Sequence, residues 1–125
     1  MARSDDVKIL KQRSAEDLKV AEMIVDNDDE MIAHIGFNLQ QFLEKKMKAS
    51  LYENGIDYPK THDLAALLKL FPQKRVGEKE KMFAYILSQY AVESRYSDDP
   101  LPPLDGQQLL SETKKFAEFI ETLWN

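Results

Sequence analysis

The chain has 125 residues, 43% of them hydrophobic and 31% charged, and its 17 Lys and Arg against 22 Asp and Glu leave a formal net charge of −5. With no Cys and two His, it cannot build a disulfide framework, a thiolate metal centre, a cysteine nucleophile or a three-His zinc site within one chain. The length suits one domain, residues 1–125, large enough to bury roughly two-thirds of its unfolded surface, and the acidic balance argues against sequence-independent coating of DNA.

Helical spacing runs through almost the whole chain. Val7, Leu10, Ser14, Leu18, Ala21 and Val25 recur at three- and four-residue steps and mark one face of a first helix. Ser4, with Asp5 and Asp6 behind it, is a good cap near the positive end of the helix dipole. The run Asp26 to Asp29 stops this helix. A second helix, predicted from Glu30 to Tyr52, carries Ile32, Ile35, Leu39, Phe42, Leu43, Met47 and Leu51 inward and closes at Asn54-Gly55. Thr61 is the expected cap of a short helix from Leu64 to Phe71, with Asp63 in its first turn and Pro72 as its stop. A fourth helix is predicted from Glu78 to Arg95, with Phe83, Ile86, Leu87, Tyr90 and Ala91 inward. Tyr96 to Gly106, with three Pro, reads as a loop. The last helix, Gln107 to Trp124, places Leu110, Phe116 or Ala117, Ile120 and Leu123 on one side. No alternating β-branched run is bounded by turn residues. The expected fold is therefore all-α: an up-down four-helix bundle with one additional short helix.

The N-terminus lacks the apolar core of a signal peptide, and no apolar run approaches the ~20 residues that span a bilayer. A soluble, cytoplasmic protein without a membrane segment is the expectation. Both ends of the chain are acidic and the middle is mildly basic. If the second and fourth helices are neighbours, they can present an anion-tolerant surface despite the overall charge.

The second helix carries a second stripe. His34, Asn38, Gln41, Lys45 and Lys48 follow one another at steps of four, three, four and three, beside the apolar face. Such a row lines a groove, forms a polar seam with a partner helix, or is a solvated flank. His62 stands at the start of the short helix, placed either to meet a phosphate or a neighbouring chain, or to pack locally. His34 reads most simply as a half-buried helix residue. Arg95 either satisfies the last carbonyls of its own helix or grips an anion with its planar fork, and Tyr96 can stack on a base. No Gly-rich phosphate loop, His-Glu-x-x-His zinc motif, nucleophile elbow or repeated Glu-x-x-His pattern is present. The acidic run at Asp26 to Glu30 lacks the Gly of a calcium loop. No metal and no cofactor is implied.

Several of these residues together resemble the HEPN family, the higher eukaryotes and prokaryotes nucleotide-binding domains. The pattern Phe37, Gln40, Gln41, Glu44, Lys45, Lys48 and Ala49 is similar to the family's second helix. Pro59 to Leu64, then Leu67 and Leu68, is similar to its next motif, and Arg95-Tyr96 before a Pro-containing loop is a third likeness. Ala15 to Leu18 and Ala21 resemble the first helix. One departure is Asn38, where many relatives carry a His, with His34 one turn earlier.

The resemblance implies a helical bundle that forms a homodimer through its long helices. It implies pairing with a minimal nucleotidyltransferase in a toxin–antitoxin-like unit, and association with a nucleotide or RNA. Many relatives are metal-independent ribonucleases marked by Arg, four to six residues, then His. Neither His here fits. The residues five to seven before His62 are Asp57, Ile56 and Gly55. Those before His34 are Asp29, Asp28 and Asn27. No His follows position 62. The expectation is a non-catalytic nucleotide- or partner-binding protein, with Asn38, Gln41, Lys45, Lys48, His62, Arg95 and Tyr96 near its groove. The alternatives are a diverged ribonuclease using His62 and Arg95, and a purely structural dimerisation module.

Overall fold

The computed structural model describes residues 4–91 and 105–125. Its elements are α1 (Ser4–Asn27), α2 (Ile32–Glu53), α3 (Leu64–Leu68), α4 (Glu78–Ser88) with a 3-10 turn at Gln89–Ala91, and α5 (Gly106–Thr122). No strand occurs among the described residues. The all-α bundle expected from the spacing is the observed fold.

Helix α2 is the central element, because its apolar residues occupy more than one face. Ile35, Leu39, Leu43, Met47 and Leu51 are fully buried. Cross-helix contacts set the directions. Lys11 meets Glu53 and Lys45 meets Asp17, so α1 runs antiparallel to α2. Ser14 Oγ adds a buried hydrogen bond to the carbonyl of Phe42. Gly106 N donates to Asp29 O at the start of α2, while Glu121 and Trp124 reach Lys46 and Ser50 near its end. Helix α5 therefore runs parallel to α2. Val7, Ala21 and Val25 from α1, and Leu109, Phe116, Ala117 and Ile120 from α5, close the core.

Local chemistry explains most boundaries. After α2, Gly55 adopts φ +75°, Ile56 N donates to Leu51 O and Gly55 N donates to Tyr52 O. This double closure is the Schellman motif, and the left-handed position suits Gly. Helix α5 begins with Asp105, whose side chain accepts from Gln108 N while the Gln108 side chain accepts from Asp105 N, a reciprocal cap. Gly36 answers a close approach. A Cβ there would lie 2.2 Å from the ring of Tyr90, so the end of the α4 region packs directly on the α2 backbone.

Four expectations need correction. Asp63, not Thr61, caps α3: its Oδ1 accepts from the backbone N–H groups of Ala65 and Ala66, and Thr61 Oγ1 accepts from Asp63 N. Asp63 stands directly before the first helical residue, so its carboxylate reaches the helix entrance, and the threonine organises the turn before it. Helix α3 stops at Leu68 rather than Phe71, because the chain tightens into turns that Gln73 ties off at the Leu68 and Phe71 carbonyls. The α-helical part of α4 stops at Ser88, where the chain tightens to a 3-10 turn. His34 is exposed rather than half-buried. The cap proposed at Ser4, with Asp5 behind it, and the loop predicted from Tyr96 lie outside the residues whose side chains are described, apart from the last two positions of that loop. No described helix is long and apolar enough to cross a membrane.

Candidate functional site

Glu44 is the one charged residue among the described residues that is buried. A carboxylate in that position requires partners, because an unpaired buried charge is heavily penalised. Helix periodicity supplies two of them. Gln40 lies one turn before Glu44 and Lys48 one turn after, so all three share a face. Gln40 Nε2 donates to Glu44 Oε1 at 3.0 Å and to the backbone carbonyl of His62 at 2.9 Å. Its Oε1 accepts from Gln41 Nε2 at 2.7 Å. Lys48 Nζ donates to Glu44 Oε2 at 3.1 Å and lies 5.8 Å from the centroid of the Tyr58 ring.

The third partner comes from the α2–α3 connection. His62 Nδ1 lies 2.9 Å from Glu44 Oε1. Burial pushes the Glu44 carboxyl up, but the hydrogen bonds from Gln40, His62 and Lys48 and the Lys48 charge outweigh it and hold it below the usual value. Glu44 is thus ionised and acts as an acceptor, which makes His62 Nδ1 the donor of the pair. The His62 side chain is 74% exposed although its Nδ1 is anchored.

His62 borders a cleft of about 230 Å³ with Asp63, Tyr85, Ser88, Gln89 and Ala91. Ser88 builds one wall by joining two elements. Its Oγ accepts from Leu64 N and donates to Ala84 O, tying α4 to the start of α3. The site is an oriented, exposed imidazole on a rigid base. Such a group exchanges a proton or hydrogen-bonds to an anion or a protein surface. Among the described residues, no cluster of three or more His, Asp or Glu is placed to hold a metal.

The structure distributes the sequence-derived candidates unevenly. Lys48 and His62 come together through opposite oxygens of Glu44. Lys45 is held by Asp17 on α1, and its charge is matched inside the chain. Gln41 supports Gln40, and Asn38 Nδ2 donates to the His34 carbonyl within α2. Arg95 and Tyr96 lie outside the described residues. Residue spacing alone does not disclose the organising role of Gln40 and Glu44. The available signal was two polar residues, one turn apart, set among Leu39, Leu43 and Met47 on a face that has to be buried.

Comparisons with known proteins agree with this architecture. The sequence model of the HEPN domain family matches residues 7–123. A protein of solved structure, TT1696 from Thermus thermophilus, shares the fold with a TM-score of 0.72 at 23% sequence identity, over 93% of this chain and 96% of that one. No curated protein matches the chain. A family match across nearly the whole length, on a helical bundle whose second helix carries the Gln40, Glu44 and Lys48 arrangement, places this chain in the HEPN domain family.

Proposed function

We propose that the protein is a non-catalytic HEPN protein that binds a nucleotide, or a partner protein that handles one, through the surface around His62. It acts as a homodimer beside a minimal nucleotidyltransferase in a toxin–antitoxin-like pair. The observation that carries this reading is the Glu44–His62 pair, which presents an imidazole to solvent in one fixed orientation. Fixing a surface group costs side-chain entropy, and a preorganised group returns that cost when it meets a ligand. In this reading His62 donates or accepts the orienting hydrogen bond. Arg95 and Lys48 supply positive charge and Tyr96 stacks, while Lys45, Gln41 and Asn38 support α2 behind them.

Calorimetric titration with ATP, GTP and a short RNA tests the nucleotide half. Binding should be measurable below millimolar ligand, and His62→Ala should weaken it about tenfold or more, as expected for loss of one hydrogen bond to a charged group. Absence of both heat and thermal shift at millimolar ligand would exclude it. Co-purification followed by mass spectrometry tests the partner half, with a small nucleotidyltransferase as the expected companion.

A second reading draws on the same pair. A carboxylate that orients an imidazole is also the arrangement of a general base, which a diverged ribonuclease would use at His62. Wild-type protein and His62→Ala incubated with unstructured RNA separate the two. Equal background from both leaves the binding reading alone.

A further inference from the structure

The cleft beside His62 is small. Its volume of about 230 Å³ lies below the about 300–1,000 Å³ of pockets that enclose a whole drug-sized ligand. It has room for one ring system and not for a nucleotide with its phosphates. Tyr85 supplies a flat apolar wall and is 58% exposed. Ser88 is already occupied, because its Oγ accepts from Leu64 N and donates to Ala84 O.

The polar groups left for a ligand between Tyr85 and Asp63 are acceptors. Asp63 Oδ1 accepts from Ala65 N and Ala66 N, and Oδ2 accepts no hydrogen bond among the described residues. Gln89 Nε2 donates to Tyr85 O at 3.2 Å, which leaves Gln89 Oε1 as a second acceptor. Asp63 is also the one residue of the lining with a fixed charge, and that charge is negative. Such a cleft repels a phosphate and receives N–H donors.

We infer that the cleft receives the base of the nucleotide, stacked on Tyr85 and read at its edge by Asp63 and Gln89, and that the base it fits is guanine. This rests on the nucleotide half of the reading above and says which part of the ligand enters. The pairing edge of guanine carries an amino group beside a ring N–H, so adjacent donors meet the acceptors of Asp63 and Gln89. Adenine and cytosine set an amino donor beside a ring acceptor, and uracil sets its ring N–H between carbonyls. Each of these turns an acceptor of its own toward an acceptor of the cleft, an unmade hydrogen bond that costs affinity. Stacking on an exposed ring tolerates any base. Tyr85 therefore supplies affinity and Asp63 the choice between bases. The phosphates stay outside the cleft, where Asp63 does not oppose them.

Calorimetric titration of the full chain with GMP, IMP and AMP tests this, with circular dichroism to confirm that each variant keeps its helices. IMP lacks only the amino group of GMP. The wild type should bind GMP at least about tenfold more tightly than IMP or AMP, the usual effect of one hydrogen bond to a charged group. Asp63→Asn keeps the capping oxygen and puts an amide N–H in place of Oδ2. It should abolish the preference for GMP over IMP and favour xanthosine monophosphate, which carries a carbonyl where GMP carries the amino group. Tyr85→Ala should weaken all of these ligands alike. A short RNA with one guanine, run beside its inosine counterpart, should show the same preference if the base is taken from a strand, and none if only a free nucleotide is taken. If the wild type binds GMP and IMP equally, or Asp63→Asn keeps the preference, the inference is overturned and the nucleotide reading stands. If neither nucleotide nor RNA binds, the nucleotide reading falls and this inference with it.

Discussion

Glu44 and His62 come from segments 18 residues apart and meet at 2.9 Å, one almost wholly buried and the other mostly in solvent. The carboxylate thus holds the ring at its inner nitrogen while the outer edge of the ring faces water. Gln40 makes the contact durable, because it binds both the carboxylate and the backbone carbonyl of His62. The pair is therefore a structural support and a presentation device at once.

Removing the charge at Glu44 separates those roles. In Glu44→Gln, Lys48 loses its anion and His62 its strongest acceptor. Stability should fall by about 1–3 kcal/mol, the usual cost of leaving buried polar groups poorly satisfied. Urea denaturation reads this directly. His62→Ala should cost less, since Gln40 and Lys48 still reach both Glu44 oxygens. An equal loss in the two variants would show that the ring, not the carboxylate, holds the region.

The same carboxylate predicts a pH dependence with a definite sign. Glu44 binds its proton less readily in the folded chain than its ordinary value of 4.5 implies. The stability it contributes is therefore fully present above that value and is lost as pH falls through the lower folded-state value. The gap in unfolding free energy between wild type and Glu44→Gln should narrow as the pH falls below about 4.5. A gap that widens in acid would reverse the assignment.

Asp63 caps α3 immediately after His62. Asp63→Ala should cost about 1 kcal/mol, the common value for a lost N-terminal cap, whereas Asp63→Asn should cost much less. Because the cap anchors the residue next to the imidazole, Asp63→Ala should also weaken any ligand that binds through His62. Denaturation and calorimetry on the same variants test both parts. Unchanged affinity would mean that Glu44 and Gln40 alone hold the ring.

Gly36 and Gly55 should fail for different reasons. Gly36→Ala forces a methyl group to within 2.2 Å of the Tyr90 ring and should cost about 1–3 kcal/mol by overpacking. Gly55→Ala meets no atom within 4 Å but must adopt φ +75°, for about 1 kcal/mol of backbone strain. Thermal unfolding distinguishes them, because enlarging Gly36 further to Val should worsen the first and Gly55→Asn should relieve the second.

The helices were legible along the chain because the period of apolar residues is a local property. Val7 to Val25 and Ile35 to Leu51 declare their faces without reference to anything else, and Asn54-Gly55 announces its own cap. Family membership was legible for a similar reason, since the second-helix pattern is a contiguous run of residues. The roles of the polar residues were not. A lysine on a helix flank looks the same whether it meets solvent or a distant carboxylate, and only the docking of α1 on α2 gave Lys45 to Asp17. Gln40 and Glu44 looked like pattern positions until folding carried the His62 segment over them. Local periodicity is written in neighbours a few residues apart. Pairing of charges depends on which remote segments share a buried volume, and that is settled when the apolar faces pack.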